Sequence, residues 1–212
     1  MVSLNMKENT VFFPCGRLTM EGLYAATDGS RGAVVSHPHP QMGGCMMNNV
    51  VEAMTLAFLG EGFSTLRFNF RGVESSEGAY DEGRGEQDDV VAARAFMEES
   101  GKREIALAGY SFGAWVNCSV IGRDDNFSPV ILVAPPVDLF PFDPSSLQGK
   151  VTLIISGDRD QFSSPATLKK LAGVVDCPLR IVAGADHFFV EREGEIIQHI
   201  RDYLSGSVMK NT

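Results

Sequence analysis

Short apolar runs alternate with longer amphipathic segments along most of the chain. Most of the runs are apolar nearly throughout, which is typical of strands that are buried on both faces of a sheet. They predict six strands, at residues 32–36, 63–70, 104–108, 130–134, 151–156 and 179–183. Two further runs, at residues 11–15 and 18–25, precede them and predict an N-terminal hairpin.

The amphipathic segments between the strands predict helices. Two of them, at residues 46–59 and 86–100, are each followed by a glycine, and the second opens with acidic residues that suit the positive end of a helix dipole. The pair Ser164-Pro165 begins a shorter helix, and residues 190–204 supply the last one. This alternation predicts an α/β fold, a mostly parallel sheet with helices on both faces. Ligands of such sheets bind beyond the carboxyl ends of the strands.

The composition is that of an ordinary globular protein. Of the 212 residues, 44% are hydrophobic and 21% are charged, so we expect residues 1–212 to form a single domain with a sizeable core. A formal net charge of −9 argues against nucleic acid or an anionic membrane as a partner. No stretch approaches the ~20 apolar residues of a membrane span.

The four cysteines are scattered, without a CxxC pair, and the first ten residues lack the design of a secretory signal. These features predict free thiols and a cytoplasmic location. His37 and His39 invite a metal interpretation, but no third ligand of matching placement accompanies them. We therefore expect no metal, and expect His37 to order its own loop by hydrogen bonding.

A serine lies at one predicted strand-to-helix junction. The pentapeptide GYSFG at residues 109–113 follows the strand at residues 104–108 and precedes a segment that can form a helix. G-x-S-x-G in this context is typical of a nucleophile elbow, a turn so sharp that its flanking positions must be glycine. Ser111 is therefore the predicted nucleophile.

A serine hydroxyl needs a base to act as a nucleophile, and the base needs a carboxylate to orient it. In proteins with a G-x-S-x-G elbow between a strand and a helix, the acid follows the serine along the chain and the histidine follows the acid. His187 follows the strand at residues 179–183, at the correct edge of the sheet, whereas His199 lies among isoleucines inside the last predicted helix. His187 is the predicted base.

Several carboxylates compete for the role of the acid. Asp158 and Asp160 follow the strand at residues 151–156, and Asp138 follows the strand before it. Asp186 adjoins the histidine and is badly placed to reach its Nδ1. We favour Asp160, which lies further out along its loop, with Asp158 and Asp138 as the alternatives.

Acyl transfer also needs N–H donors for the oxyanion. One is the N–H of Phe112, directly after the nucleophile, and the other comes from the loop after the third strand, at residues 37–44. Prolines at positions 38 and 40 have no N–H, so the candidates reduce to His39 and Gln41. We favour His39, which follows the strand end by the shorter path.

With these residues identified, the chain resembles the α/β-hydrolases, and among them the small bacterial dienelactone-hydrolase-like group. The segments that carry the resemblance are HPHPQMGG (37–44), RFNFRGVESSEG (67–78), GYSFGA (109–114), SGDRD (156–160) and GADHFF (184–189). The resemblance implies an α/β-hydrolase fold and the triad Ser111, Asp160 and His187. Glu74 stands where many members of the group carry glycine.

The segment in which larger hydrolases place a lid is short here. It comprises 16 residues, 135–150, so we expect no cap domain and an open cleft. The side chains expected to wall this cleft are Met42, Tyr110, Phe112, Phe162 and Phe188, and their apolar character favours an acyl or aryl group.

The sequence therefore predicts a cofactor-free serine hydrolase of carboxylic esters or thioesters, whose partners are a small-molecule acyl substrate and water. A small serine peptidase or amidase fits the same residues, because the triad does not distinguish esters from amides. A non-catalytic binding protein on this fold is the remaining alternative; loss of a triad member would favour it, and none is missing.

Overall fold

The computed structural model describes residues 7–123 and 126–206, and within these ranges eight strands form one sheet. Its order is β1-β2-β4-β3-β5-β6-β7-β8. The first two strands pair antiparallel with each other, β2 pairs antiparallel with β4, and the remaining neighbours are parallel. The strands are β1 (Asn9–Cys15), β2 (Leu18–Ala25), β3 (Arg31–Ser36), β4 (Ser64–Phe68), β5 (Glu104–Tyr110), β6 (Val130–Val133), β7 (Leu153–Gly157) and β8 (Leu179–Val182).

Helices cover both faces of the sheet. On one face α1 and α6 pack together over β3, β4, β5 and β7, and the other helices pack on the opposite face. Each face buries its own apolar cluster, as strands without a solvent-exposed side require. The helices are α1 (Asn49–Gly60), α2 (Gly85–Glu99), α3 (Phe112–Arg123), α4 (Pro144–Leu147), α5 (Pro165–Val175) and α6 (Glu193–Leu204), and a 3₁₀ helix spans Pro40–Met42.

The predicted fold class is confirmed, including the N-terminal antiparallel hairpin, and residues 7–123 and 126–206 contain no cap domain. Residues 135–150 contain only the short helix α4. Some helices and strands begin or end at other residues than the sequence predicts. The helix predicted from residue 46 begins at Asn49, because the Asn48 side chain accepts a hydrogen bond from the Val50 N–H and caps it.

Two further ends were predicted wrongly. The last helix begins at Glu193, because Phe189 and Glu191 adopt positive φ and hold the preceding segment in turns. Strand β4 ends at Phe68, two residues early, and the Phe70 N–H leaves the sheet to bond to His37.

The cysteines at positions 15, 45, 118 and 177 have free thiols, as the sequence predicts. Burial raises the pKa of Cys15 to about 11 and that of Cys177 to about 12, so these thiols are protonated near neutral pH. Across the described ranges, no helix combines the length and the apolarity that crossing a bilayer requires. The cytoplasmic location stays a prediction.

Glu74, in the loop after β4, has a φ of +48°, a left-handed conformation that favours glycine. A left-handed conformation costs a non-glycine residue ~1–2 kcal/mol. Glycine avoids this cost, and the conformational entropy that it adds to the unfolded chain costs less than that. We expect Glu74→Gly to raise the free energy of unfolding by about 0.5 kcal/mol.

The matched control is the neighbouring Ser75→Gly, because Ser75 is not among the positive-φ residues. There glycine only adds conformational entropy to the unfolded chain. Chemical denaturation of both variants should therefore show that Ser75→Gly lowers the free energy of unfolding by about 0.5–1 kcal/mol. Equal losses for both variants would contradict the strain at Glu74.

Candidate active site

Ser111 is the single residue between the end of β5 and the start of α3, and its φ is +54°. The turn brings strand and helix so close that only glycine fits at its flanks. A Cβ at Gly109 would lie 2.5 Å from Asn117 Nδ2, and a Cβ at Gly113 would lie 2.6 Å from the His37 carbonyl oxygen. These contacts give the physical reason for both glycines of the pentapeptide.

The three residues predicted as a triad come together at the carboxyl edge of the sheet. His187 Nε2 lies 2.8 Å from Ser111 Oγ. The other ring nitrogen, Nδ1, lies 2.9 Å and 3.0 Å from the two carboxylate oxygens of Asp160. A serine, an imidazole and a carboxylate in this order can generate a nucleophilic hydroxyl at neutral pH.

Asp160 is buried, with 6% of its surface exposed. Its Oδ1 accepts a hydrogen bond from the Phe162 N–H at 2.8 Å, and its Oδ2 accepts one from Ser156 Oγ at 3.3 Å. These donors compensate the carboxylate for lost water and fix its direction towards the histidine.

The competing carboxylates bond elsewhere. Asp158 accepts from the Gly184 N–H at 2.7 Å and ties together the loops that follow β7 and β8. Asp138 accepts from the Ser164 N–H at 2.6 Å, and this hydrogen bond lowers the pKa of its carboxyl group. Asp186 accepts from the Phe188 N–H two residues further on. Of the four aspartates considered from the sequence, only Asp160 bonds to His187.

His187 is anchored through its backbone as well as its ring. The Tyr110 hydroxyl donates to the His187 carbonyl oxygen at 2.9 Å, and the Phe162 ring packs edge-on against the imidazole at 4.7 Å between centroids. Tyr110 was expected to wall the cleft, but only 2% of its surface is exposed. It is instead a support inside the molecule for the histidine loop.

The other residues expected to wall the cleft also differ in their exposure. Phe112 is fully buried, so its ring does not wall the cleft. Met42 and Phe188 are exposed, by 82% and 51% of their surface. Phe162 is half-buried against the imidazole.

The oxyanion-donor candidates differ in their hydrogen bonds. The Gln41 N–H donates to the Nδ1 of His39 at 3.2 Å and is therefore already engaged. Across residues 7–123 and 126–206, neither the Phe112 N–H nor the His39 N–H donates to another protein atom. This difference favours His39 over Gln41 as the second donor.

This chain is similar over most of its length to a protein of known sequence and to a solved structure. No family model matches the chain. An uncharacterized protein of Rickettsia prowazekii (strain Madrid E) is 32% identical over 208 residues, covering 90% of this chain and 85% of that protein. The structure of an α/β serine hydrolase homologue from Coxiella burnetii is 32% identical with a TM-score of 0.82, covering 91% of this chain and 95% of that one. The chain belongs to the α/β-hydrolase superfamily.

Two further solved structures agree with this assignment. A putative α/β-hydrolase from Agrobacterium tumefaciens is 31% identical to this hydrolase with a TM-score of 0.84, covering 95% of this chain and 96% of that one. A lidless α/β serine hydrolase from Xanthomonas campestris is 26% identical with a TM-score of 0.83, covering 97% and 96%. Membership of the dienelactone-hydrolase-like group stays a prediction.

His37 orders the loop that follows β3. It is fully buried, and its Nε2 accepts a hydrogen bond from the Phe70 N–H at 2.9 Å. Its Nδ1 therefore carries the proton, which it donates to the Pro38 carbonyl oxygen at 2.6 Å. Burial lowers the pKa of the imidazole to about 4, so it is neutral near pH 7. Both ring nitrogens are occupied by protein partners, which argues against His37 as a metal ligand.

Sequence reasoning missed the residues that support the site from the segment between β4 and α2. Tyr80 places its hydroxyl 3.2 Å from His39 Nε2. The carboxylates of Glu86 and Asp89, fully buried in the first turns of α2, accept hydrogen bonds from backbone N–H groups of this segment. The acidic residues were recognised only as partners of the helix dipole.

Proposed function

We propose that this chain is a serine hydrolase that cleaves carboxylic esters or thioesters of small to medium acyl groups. The observation that carries the proposal is the continuous hydrogen-bond path from Ser111 Oγ through His187 to the buried carboxylate of Asp160. The relatives at more than 30% identity, which include an α/β serine hydrolase homologue, support the hydrolase class.

The reaction begins when His187 Nε2 takes the Ser111 proton as Oγ attacks the substrate carbonyl carbon. The carbonyl oxygen becomes an oxyanion, which accepts hydrogen bonds from the N–H groups of Phe112 and His39. Asp160 stabilises the imidazolium at Nδ1. The imidazolium then protonates the leaving alcohol or thiol, which departs and leaves an acyl-enzyme.

Water releases the acyl group by the same steps in reverse. His187 takes a proton from water, the resulting hydroxide attacks the acyl carbonyl, and the proton returns to Ser111 Oγ as the acid departs. A hydroxyl, an imidazole and a carboxylate supply this chemistry without a cofactor. The partners are a small acyl substrate and water, and we place the reaction in the cytoplasm.

The surroundings of the cleft support an apolar acyl group of limited length. Exposed apolar side chains lie in the loops at the carboxyl edge of the sheet; they are Met42, Met47, Leu139, Phe188 and Val190. They offer apolar contact to a substrate, but the short segment 135–150 supplies no lid to enclose a long chain. Burial of each methylene is worth ~0.8 kcal/mol, so unenclosed methylenes add little binding.

A fluorophosphonate should label Ser111, and Ser111→Ala should abolish both the labelling and the turnover of p-nitrophenyl esters, because the hydroxyl is the nucleophile. Mass mapping of the labelled peptide checks the site, and Ser75→Ala, a change at an exposed serine, is the control. Wild-type turnover by Ser111→Ala would overturn the mechanism.

Asp160→Asn and His187→Ala should each lower kcat by ~10⁴-fold, because the imidazole then lacks its orienting carboxylate or is itself missing. Asp158→Asn, Asp138→Asn and His199→Ala are matched controls that should stay close to wild type in steady-state assays. A severe loss in Asp158→Asn or Asp138→Asn together with a mild effect in Asp160→Asn would reassign the acid.

Short and medium p-nitrophenyl esters should be turned over faster than long-chain esters, because the open cleft leaves much of a long chain in water. Rates across a chain-length series, each measured with and without EDTA, test this and the expected independence of metal. A rate that climbs steadily to long chains contradicts the open cleft. A rate that collapses in EDTA and returns with zinc contradicts the metal-free mechanism.

A further inference from the structure

We propose that Tyr80 is a positioning residue of the oxyanion hole, acting through the imidazole of His39. In this proposal the Tyr80 hydroxyl holds the His39 ring, and the ring holds the backbone N–H of His39 in the direction of the oxyanion. The inference rests on the proposed function and adds to it a residue that never touches the substrate.

The hydrogen bonds of the His39 ring determine which nitrogen carries the proton. A backbone N–H can only donate, so Nδ1, which lies 3.2 Å from the Gln41 nitrogen, is the acceptor. Burial lowers the pKa of His39, so the ring is neutral and its proton is on Nε2. Nε2–H then donates to the Tyr80 hydroxyl oxygen at 3.2 Å.

Hydrogen bonds link the ring of His39 to the backbone of its own loop. Nδ1 bonds to the backbone only two residues further on, and the His39 carbonyl oxygen accepts from the Met42 and Gly44 N–H groups at 3.0 Å each. Pro38 and Pro40 restrict the backbone on both sides. In this proposal, a shift of the imidazole displaces the His39 N–H through these links.

Within the described ranges, the hydrogen bond to Tyr80 is the one that ties this ring to another segment of the chain. The Tyr80 and His39 rings are also in contact, at 5.0 Å between centroids, and the His39 ring contacts the Phe112 ring at 4.8 Å. Phe112 is the residue of the first oxyanion donor. The contacts of His39 thus join the two proposed donors and Tyr80.

Tyr80 has a fixed support of its own. The fully buried carboxylate of Glu86 accepts hydrogen bonds from the N–H groups of Asp81 and Gly83, both at 2.8 Å. Gly83 packs so closely on Trp115 that a Cβ there would lie 2.2 Å from the indole ring. Because these contacts hold the backbone without the Tyr80 hydroxyl, Tyr80→Phe should keep the fold and remove one hydrogen bond.

The test compares Tyr80→Phe with Tyr203→Phe, which removes a hydroxyl from α6 near the amino ends of β3, β5 and β6, at the opposite edge of the sheet. Loss of one oxyanion donor costs ~10²–10³-fold in kcat, and misplacement of a donor costs part of that. With p-nitrophenyl butyrate, Tyr80→Phe should lower kcat about 10-fold with KM within about two-fold. Tyr203→Phe should match the wild type.

Two further measurements separate positioning from packing. Phenylboronic acid forms a tetrahedral adduct with the serine, so its affinity should fall about 10-fold in Tyr80→Phe, in parallel with kcat. In a double-mutant cycle with His39→Ala, the effect of Tyr80→Phe on kcat should disappear, because the residue through which it acts is gone. Thermal denaturation verifies that each variant is folded.

The outcomes distinguish this inference from the proposed function. The role of Tyr80 is overturned if Tyr80→Phe keeps wild-type kcat and boronate affinity. It is also overturned if the effects of Tyr80→Phe and His39→Ala on kcat multiply in the cycle. Neither result affects the proposed chemistry of Ser111. A wild-type protein whose Ser111 reacts with neither fluorophosphonate nor ester overturns the proposed function itself.

Discussion

The left-handed turn at Ser111 is the constraint around which the site is organised. Its N–H bonds to the Val133 carbonyl oxygen of β6 at 3.0 Å, and Gly113 lies against the carbonyl oxygens of Ser36 and His37 at the end of β3. The elbow therefore contacts both neighbouring strands at their carboxyl ends. A positive φ at a serine is costly, and close packing on both sides maintains it.

Partners for the serine arrive from the two strands beyond β6. Asp160 follows β7 and His187 follows β8, and parallel strands deliver both to the edge where β5 ends. The Gly184 N–H donates to Asp158 and joins the two loops, and the Tyr110 hydroxyl at the end of β5 donates to the His187 carbonyl oxygen. These hydrogen bonds convert the proximity into a fixed geometry. In the proposed mechanism, preorganisation of this kind lets a weakly nucleophilic hydroxyl react without rearrangement of the protein.

Buried polar groups stabilise the opposite side of the cleft. His37 bonds to the Phe70 N–H, Glu86 to the Asp81 and Gly83 N–H groups, and Asp89 to the Arg71 backbone and guanidinium. Each would cost several kcal/mol if buried without partners, so these bonds specify one arrangement of a long irregular segment. That segment supports the loop carrying the proposed oxyanion donor.

The sequence by itself determined the α/β class, the N-terminal hairpin, the missing lid and the serine elbow, because periodicity and turn chemistry are local properties. It also named Asp160 and His187, but only by strand ends and chain order. Tertiary structure decided which aspartate bonds to His187 and which ring nitrogen of His37 and His39 carries the proton. It also decided that Tyr110 lies inside the molecule. It also brought Tyr80 to His39, 41 residues away, a contact that no local pattern encodes because it forms only when separate loops pack together.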